Sequence, residues 1–328
     1  MKSAPMRRWL FAGFTFLFAA ASQAQPVSLK IQDYPGIVGT LVRVAIEKGY
    51  CEQQGLKCSL NTIPSAPLGL QTLLAGGIDV SLPPAEVVIQ SAVKGANLKI
   101  VSASFTASPF MLIMGKGMMG SAGKSYPQIM HDLKGKKIGI TARGAAPEFQ
   151  VKTMLKGAGM KDDDVTFVAV GSPNTGYPAL LNQQVDAVMS FVPFDGLCSV
   201  LETCRVAVTP AKGEGPEELV ALNGGGGLYV MRQDFVSKHK GVDDAFFKAM
   251  TDAGKFASDP ANLDELLKIT LKYYKMDAPR GEEILRNSLE RFQFAFVPDV
   301  KPESIQAAAD YLKNTGQINK PFDTKVLF

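Results

Sequence analysis

Apolar residues follow two different spacings along this chain, and segments with one spacing alternate with segments with the other. They recur at every second position over residues 27–32, as in a half-buried strand, and at every third or fourth position over residues 37–53, as in an amphipathic helix. Strands are expected at 27–32, 57–63, 78–82, 98–104, 110–115, 137–141, 165–170, 185–191 and 205–208. Helices are expected at 37–53, 67–75, 146–156, 177–181 and 194–201, with another that begins at the prolines 83 and 84. This alternation predicts an α/β protein whose mainly parallel sheets are covered by helices.

Two segments of the chain repeat the same pattern of residues. Leu73–Val80 reads LLAGGIDV and Leu180–Ala187 reads LLNQQVDA; each ends a helix, turns, and enters an apolar strand through an aspartate. Proline follows both strands, at Pro83 and at Pro193. We interpret the repeat as two similar α/β lobes that close on a ligand, although βα proteins also repeat such turns by chance.

The order of elements also predicts where the chain passes between the lobes. Residues 25–114 are expected to form the first part of lobe one, residues 115–221 lobe two, and residues 222–328 the return to lobe one. The crossings would lie near Gly115 and near the run Gly224–Gly227, where a flexible crossing and a plain surface loop fit equally well. Four further helices, at 243–258, 262–274, 280–292 and 302–314, would cover lobe one.

Residues 1–24 have the composition of a secretory signal peptide. A basic start that contains Lys2, Arg7 and Arg8 precedes an apolar run, and small residues stand at the cleavage positions before and at Ala24. A Sec signal is favoured over a twin-arginine signal, and no cysteine near the cleavage site could carry a lipid anchor. We therefore expect cleavage after Ala24 and a periplasmic protein.

Charge excludes two classes of partner. The signal peptide contains three of the 35 basic residues and none of the 31 acidic residues, so the mature chain is nearly neutral. A neutral chain without long basic runs is a poor partner for nucleic acid or for an anionic membrane surface.

Four cysteines in an exported protein suggest two disulfides. Cys51 and Cys58 flank Gly55 at a turn from helix to strand, and Cys198 and Cys204 flank a similar turn in the second lobe. Local pairing, 51 with 58 and 198 with 204, is favoured among the three possible connectivities, with four buried free thiols as the alternative. These spacings do not match a zinc knuckle.

The sequence carries no recognisable catalytic, metal or cofactor motif. His131 and His239 each stand in a polar stretch with no second histidine at ligand spacing, so no metal site is expected. Residues 117–125 look like a phosphate-binding loop, but Met118 occupies a position where that motif requires glycine. The absence of a nucleophile elbow or a dinucleotide fingerprint further favours a binding protein over an enzyme.

A ligand of an open α/β sheet lies beyond the carboxyl ends of the strands, where helix N-termini also point. At these positions the chain has hydroxyl, aromatic and small residues, which suit a small polar molecule with an apolar body. The candidate ligand-binding residues of lobe one are Asp33, Tyr34, Ser65, Pro83, Glu86, Ser104 and Phe105. Those of lobe two are Thr141, Arg143, Gly144, Ser172, Asn174, Thr175, Tyr177, Phe191, Phe194 and Asp195.

Among these candidates, Arg143 is the one that could bind an anion directly. It stands between a strand end and a helix start, where its guanidinium could hold a carboxylate or a sulfonate through two hydrogen bonds. A solvated or structurally paired arginine is the alternative. Glu86, in the first turn of a helix, could complement the helix dipole or pair with a ligand amine. The aromatic candidates could sandwich a ring or pack in the core.

Three segments resemble the nitrate/sulfonate/taurine-type substrate-binding proteins of ABC importers. Ala45–Leu56 resembles their A-x-x-x-G-Y-F-x-x-x-G-L stretch, Leu74–Val80 their L-x-x-G-x-x-D-V element, and Asp132–Ile138 the D-L-K-G-K-K-I that opens their second lobe. Cys51 replaces the usual phenylalanine, which supports a local disulfide to Cys58.

The resemblance implies a fold and a function. The fold is the periplasmic binding protein type II fold, with two Rossmann-like α/β lobes joined by a hinge and extra C-terminal helices on lobe one. The function is that of a monomeric receptor without a cofactor, which delivers a small solute to a membrane permease and its ATPase. The aromatic-rich loops tilt the expected solute toward an organic anion, a sulfonate or a carboxylate.

Other functions share this fold. Thiamin-pyrimidine synthases need a cysteine cluster and a histidine donor, and this chain has neither. A desulfinase needs a nucleophilic cysteine, whereas all four cysteines of this chain have plausible disulfide partners. A receptor for a membrane sensor or a tripartite transporter is a further alternative, which neighbouring permease and ATPase genes would argue against.

Overall fold

The computed structural model describes residue 1, residues 25–121 and residues 123–328, so the expected signal peptide and its cleavage site lie outside the described residues. The strands are β1 (Val27–Asp33), β2 (Leu56–Thr62), β3 (Leu98–Phe105), β4 (Phe110–Gly115), β5 (Lys137–Ile140), β6 (Thr166–Ala169), β7 (Ala187–Phe191), β8 (Cys204–Val208) and β9 (Gly227–Arg232). The helices are α1 (Thr40–Glu47), α2 (Tyr50–Gln53), α3 (Ala66–Leu74), α4 (Ala85–Val93), α5 (Gln128–His131), α6 (Ala146–Gly157), α7 (Pro173–Leu181), α8 (Phe194–Leu201), α9 (Glu217–Val220), α10 (Gln233–Lys238), α11 (Val242–Ser258), α12 (Leu263–Tyr273), α13 (Gly281–Phe292) and α14 (Pro302–Asn314).

The first lobe is built on a mixed sheet. Strands β1 and β2 pair in parallel, and β3 and β9 pair antiparallel. Residues 79–82 join the two pairs, because Val80 bridges Ile31 in parallel and Ser81 bridges Val230 antiparallel. The strand expected at 78–82 is thus present in its place but makes only these single bridges.

The second lobe repeats this arrangement. Its five strands stand in the order β6-β5-β7-β4-β8, with β5 parallel to β6 and β7, and with β4 antiparallel to β7 and β8. Helices cover both sheets, so the expected α/β fold with two similar lobes is confirmed. The expectation of mainly parallel sheets is wrong, because β4 and β9 run antiparallel to their neighbours and both described sheets are mixed.

Strand β4 corrects the expected first boundary between the lobes. Residues 110–115 were expected to close lobe one at residue 114, since consecutive strands are usually neighbours. Instead Phe110 pairs with Phe191 and Met114 with Arg205, so β4 belongs to the second sheet. The crossing therefore precedes Phe110 and does not lie at Gly115.

The aspartates of the repeated segments perform the same task in both lobes. The carboxylate of Asp79 accepts a hydrogen bond from the backbone N–H of Lys30 at 2.9 Å, and that of Asp186 accepts one from Lys137 at 2.8 Å. The N–H of each aspartate donates back to the carbonyl of the same lysine, at 2.8 Å in both lobes. Each aspartate thus fixes the register between one strand, β1 or β5, and the segment that the aspartate itself opens.

The two crossings between the lobes run side by side. The N–H of Gly224 donates to the carbonyl of Thr106 at 2.8 Å, and the N–H of Ser108 donates to the side-chain oxygen of Asn223 at 2.9 Å. A Cβ at Gly226 would lie 2.3 Å from the carbonyl oxygen of Ala107, so the contact between the crossings requires glycine there. The glycine run therefore serves a close backbone approach.

The C-terminal helices divide between the lobes. Helices α11 and α12 pack on α1, and α14 packs on α4, as expected of a cover for lobe one. Helix α13 packs instead on α8 of lobe two, where Ser288 donates to Asp195 at 2.7 Å. None of the described helices is long and apolar enough to cross a membrane.

Both expected disulfides are present. Cys51 pairs with Cys58 and Cys198 with Cys204, and among the described residues no cysteine is free. Each closes a short loop at a turn from helix to strand.

Removing the second disulfide should destabilise the protein measurably. We expect the double variant Cys198→Ser/Cys204→Ser to lose about 2–3 kcal/mol of the free energy of unfolding, because the unfolded chain regains the freedom of the closed loop. Denaturant unfolding of the oxidised wild type and the variant measures the loss. Chemical reduction of the wild type is the control, and equal midpoints for variant and wild type would contradict the expectation.

Candidate functional site

A cavity of about 50 Å³ lies where the two sheets face each other. Nearly every residue on its wall stands at the carboxyl end of a parallel strand, at a helix start, or at a crossing between the lobes. The lining residues from lobe one and the return crossing are Tyr34, Val38, Pro64, Ser65, Ala66, Leu82, Pro84, Phe105, Gly226 and Gly227. Those from lobe two and the first crossing are Pro109, Phe110, Thr141, Ala145, Ala146, Pro147 and Phe191.

The buried amide of Gln32 positions the lobe-one wall. Its oxygen accepts from the hydroxyl of Ser81 at 2.7 Å and from the N–H of Leu82 at 3.0 Å. Its nitrogen donates to the carbonyls of Ile63 at 3.0 Å and Ser65 at 3.3 Å. The side chain of Gln32 therefore links the loop that follows β2 to the end of the segment 79–82. A strand-end pattern does not reveal this role, and we did not predict it.

A buried ion pair positions the loop after β1. Arg43 is fully buried and donates to both carboxylate oxygens of Asp33, at 3.0 and 2.8 Å. It also donates to the carbonyls of Tyr34 at 2.5 Å and Gly36 at 2.6 Å. Burial raises the pKa of the Asp33 carboxyl, and the attraction of the Arg43 guanidinium opposes that shift. Asp33 thus holds the loop that carries Tyr34 and does not itself line the cavity.

Aromatic rings form the floor between the lobes. Phe191, at the end of β7, has edge contacts with Tyr34 of lobe one and with Phe110, each with ring centroids 6.3 Å apart. Such edge-to-face pairs add about 0.5–1.5 kcal/mol beyond the area they bury. Burial raises the pKa of the Tyr34 hydroxyl, so this group stays a neutral donor at physiological pH.

The cavity is apolar, and three helices begin at its wall. No charged side chain is among its lining residues in the described part of the chain. Helices α3, α4 and α6 begin at the wall, where Ser65, Pro84 and Ala145 stand just before their first turns. The first N–H groups of a helix have no intrahelical partner, and its N-terminus carries partial positive charge. The site therefore suits an apolar molecule with a polar or negative end.

Five of the predicted site residues line this cavity: Tyr34, Ser65, Phe105, Thr141 and Phe191. Pro83 and Ser104 lie just behind the wall. The carbonyl of Pro83 accepts from the N–H of Leu228, and the hydroxyl of Ser104 donates to the carbonyl of Val38 at 2.9 Å.

Arg143 lies away from the cavity lining. Its side chain is 62% exposed, its guanidinium lies 3.3 Å from the carboxylate of Glu148, and it covers the ring of Phe167. The neighbouring Gly144 has a positive φ of 72° and donates its N–H to Glu148 at 2.8 Å. Arg143 is thus a structurally paired arginine, which was the alternative to binding an anion directly.

The remaining candidates are engaged within the protein. Asn174 accepts from the hydroxyl of Tyr274 at 2.7 Å, Tyr177 shares a hydrogen bond with Thr203 at 2.8 Å, and Glu86 accepts from Gln150. Ser172 accepts from Thr175 through its carbonyl, Phe194 packs against Tyr177, and Asp195 accepts from Ser288. Burial raises the pKa of the Asp195 carboxyl, and the Ser288 hydroxyl opposes that shift. None of these residues lines the cavity.

The lining residues that we did not predict are mostly small or apolar. They include Val38, Pro64, Ala66, Leu82, Pro84, Pro109, Phe110, Ala145, Ala146, Pro147, Gly226 and Gly227. A search for polar chemistry misses such residues. A usable signal was proline next to a predicted helix start after a strand, as at Pro64, Pro84 and Pro147.

In the part of the chain that the structure describes, no cluster of three or more histidine, cysteine, aspartate or glutamate side chains could hold a metal ion. His239 stacks on the ring of Phe235, and neither this residue nor His131 lines the cavity.

Known proteins resemble this chain over most of its length. A protein of Brucella abortus (strain 2308) that is named as a binding protein is 24% identical over 300 residues, which cover 90% of this chain and 87% of that protein. The alkanesulfonate-binding protein SsuA of Xanthomonas axonopodis pv. citri, solved with MOPS, superposes with a TM-score of 0.71 at 18% identity and covers 92% of this chain and 97% of its own. The periplasmic nitrate-binding protein NrtA of Synechocystis PCC 6803 superposes with a TM-score of 0.74 at 14% identity, over 92% and 84% of the two chains.

These superpositions confirm the expected periplasmic binding protein fold. The family model described as NMT1/THI5 like matches residues 38–262, which is more than half of the chain. By that match, this protein is a member of the NMT1/THI5-like family.

Proposed function

We propose that this protein is a solute receptor of the periplasm, which binds a small organic anion between its lobes and delivers it to an ABC permease and its ATPase. The observation that carries the proposal is the cavity whose walls come from both lobes. A solute that contacts both walls stabilises the arrangement in which the lobes are close. That change of shape is what a membrane partner can recognise.

The size of the cavity supports closure around the paired crossings. Ligand pockets commonly measure roughly 300–1,000 Å³, whereas this cavity measures about 50 Å³. A solute would therefore enter only after the lobes move apart. The crossings at residues 106–109 and 223–226, which are hydrogen-bonded to each other, are the candidate hinge.

The wall favours an anion with an apolar body over a bare inorganic ion. Tyr34, Phe105, Phe110 and Phe191 offer rings, and Ser65 and Thr141 offer hydroxyls next to helix starts. A carboxylate or sulfonate would take its hydrogen bonds from these hydroxyls and from free helix N–H groups, without a partner arginine. Nitrate would leave most of the apolar wall uncovered.

An enzyme is the second candidate, because thiamin-pyrimidine synthases and a desulfinase also use this fold. The cysteines are all in disulfides and neither histidine lines the cavity, so the described residues offer no thiolate or imidazole there. These observations favour the receptor.

A ligand panel tests the proposal. The mature protein is unfolded and refolded to remove carried-over solute, then melted with aromatic and aliphatic sulfonates and carboxylates, nitrate, pyrimidines, and the neutral amide of each aromatic acid. At a hundredfold excess over the dissociation constant, a true ligand adds about 2.7 kcal/mol of stability. We expect an aromatic anion to raise the melting temperature most. Equal shifts for acid and neutral amide would contradict an anion site, and chemical conversion of a panel member would establish the enzyme.

A pair of serines offers a matched test of the site. Ser65 and Ser172 both precede a helix, and neither makes a capping hydrogen bond through its side chain, but only Ser65 lines the cavity. We expect Ser65→Ala to weaken binding of the anion found by the panel about 10- to 100-fold, the worth of a hydrogen bond to a charged group. Ser172→Ala should leave the affinity unchanged in the same titration calorimetry. Equal effects of the two variants would remove Ser65 from the site.

A further inference from the structure

A buried side-chain pair joins the two lobes beside the cavity. Glu86 stands in the first turn of α4 in lobe one, and Gln150 stands in the second turn of α6 in lobe two. Both are 3% exposed, and the amide nitrogen of Gln150 lies 3.4 Å from one carboxyl oxygen of Glu86. Both helices begin at the cavity wall, so this pair is sensitive to how closely the lobes approach.

The amide oxygen of Gln150 has no hydrogen-bond partner in the structure although it is buried. A buried acceptor without a donor is destabilising, and such atoms are rare in native proteins. An ionised carboxylate has no proton to donate to it. A protonated carboxyl, in contrast, can donate to the amide oxygen while it accepts from the amide nitrogen.

Among the described residues, the groups that act on the Glu86 carboxyl include no cationic side chain. Helix α3, which packs on α4, contains no titratable residue. On α6, Glu148 is paired with Arg143 and Lys152, at 3.3 and 3.2 Å, and these groups interact with each other.

On α14, the nearest titratable group is the hydroxyl of Tyr311, which donates to the carbonyl of Phe149 at 3.0 Å and contacts the hydroxyl of Thr153. Glu303 and Asp310 of the same helix are exposed, and the ammonium group of Lys313, its cation, donates to the carbonyl of Asn319 at 3.0 Å. Burial raises the pKa of Glu86 from its ordinary value of 4.5, and the hydrogen bond from its own backbone N–H and the contact with Gln150 both oppose that shift.

We propose that Glu86 and Gln150 form a proton-dependent latch between the lobes. In the closed arrangement the Glu86 carboxyl carries a proton that it donates to the Gln150 amide oxygen, while the amide nitrogen donates to the other carboxyl oxygen. When the lobes separate, water reaches Glu86 and the proton leaves to solvent. Closure therefore takes up one proton, and a more acidic medium favours the closed form. The latch rests on the lobe movement of the proposed function but on no particular ligand.

The variant Glu86→Gln tests the latch without any ligand. An amide at this position has the donor and acceptor of the protonated acid but does not titrate. The wild type should match the variant at a pH well below 4.5, the ordinary pKa of a glutamate, where Glu86 is protonated in both folded and unfolded chains. As pH rises, the unfolded chain loses that proton first, so the stability of the wild type falls relative to the variant until the raised pKa of the folded state is passed. We expect Glu86→Gln to melt at a higher temperature than wild type at neutral pH.

Glu148→Gln is the matched control, since Glu148 is also buried, on the partner helix, but is paired with cations. It should lower the melting temperature at neutral pH. If Glu86→Gln also melts lower than wild type at neutral pH, Glu86 is ionised in the folded protein and the latch is refuted.

One spectroscopic measurement and one scattering measurement complete the test. The infrared difference spectrum between wild type and Glu86→Gln at neutral pH should contain the carbonyl band of a protonated carboxyl, since any contribution from the buried Asp33 and Asp195 cancels in the difference. X-ray scattering should give a larger radius of gyration for the ligand-free wild type at alkaline than at acidic pH, with no such change in Glu86→Gln. A missing carboxyl band would overturn the latch. A band without the change in radius would overturn its link to closure. Either failure leaves the ligand panel free to establish or reject the receptor function.

Discussion

Replacing Arg43 by methionine should lower the free energy of unfolding by about 3–5 kcal/mol, because the change leaves the Asp33 carboxylate buried without its counter-charge. Asp33 is 3% exposed and accepts three of the five hydrogen bonds that Arg43 donates, while the carbonyls of Tyr34 and Gly36 accept the other two. The carbonyls of Tyr34 and Gly36 lose their donor in the same step. Denaturant unfolding at neutral pH measures the loss.

The exposed pair of Arg286 and Asp264 is the control for this prediction. Its two side chains are 43% and 85% exposed, so Arg286→Met should change the stability far less, as surface ion pairs do. The double variant Asp33→Asn/Arg43→Met should recover part of the loss, because no buried charge remains. If Arg43→Met were no more harmful than Arg286→Met, the ion pair would not be what holds the loop.

Loss of the ion pair should also affect the site. Tyr34 reaches the cavity from a loop that the guanidinium of Arg43 fixes through two carbonyls. In any folded fraction of Arg43→Met, binding should therefore weaken as well. The buried pair thus connects the stability of lobe one to the shape of the binding wall.

The elements whose patterns are local were predictable from the sequence. Helices Phe194–Leu201 and Pro302–Asn314 have the expected bounds because hydrophobic spacing alone sets them. The helix expected at 37–53 is interrupted, because Gly49 adopts a positive φ of 70° and separates α1 from α2. A spacing pattern does not show such a break.

Long-range pairing could not be predicted in the same way. Strand β4 has the composition of any buried strand, and its place in the second sheet depends on partners near residues 187–191 and 204–208. The sequence repeat did locate both lobes, since Asp79 and Asp186 make the same register-fixing hydrogen bonds.

The candidate site was predicted in position better than in residue identity. Strand ends do line the cavity, but a polar residue there serves either a ligand or a neighbour within the protein. Asn174 contacts Tyr274, and Asp195 contacts Ser288, each about a hundred positions away in sequence. These partners come from the C-terminal helices, so the choice between ligand and internal partner requires the tertiary structure.

Phe191→Ala should lower the stability of the protein about as much as Arg43→Met, and it should also weaken ligand binding. Phe191 is 4% exposed and contacts the ring of Tyr34 in lobe one and that of Phe110 in the neighbouring strand β4. Its truncation should lower the free energy of unfolding by about 3–5 kcal/mol, because the buried apolar surface of the ring is lost and a void remains in its place. Affinity for an aromatic anion should fall together with stability, because the ring that faces both lobes is gone.

Phe246→Ala separates these two effects. Phe246 is fully buried and packs on Tyr229 with ring centroids 5.3 Å apart, but it does not line the cavity. We expect it to lose a similar amount of stability while the folded protein keeps the affinity of the wild type. Phe191→Leu should lose less stability than Phe191→Ala, since most of the volume remains, but should still bind more weakly because no ring is present. Calorimetric titration at a temperature where all three variants are folded makes the comparison. Unchanged affinity in both Phe191 variants would mean that the solute binds elsewhere than in the cavity between the lobes.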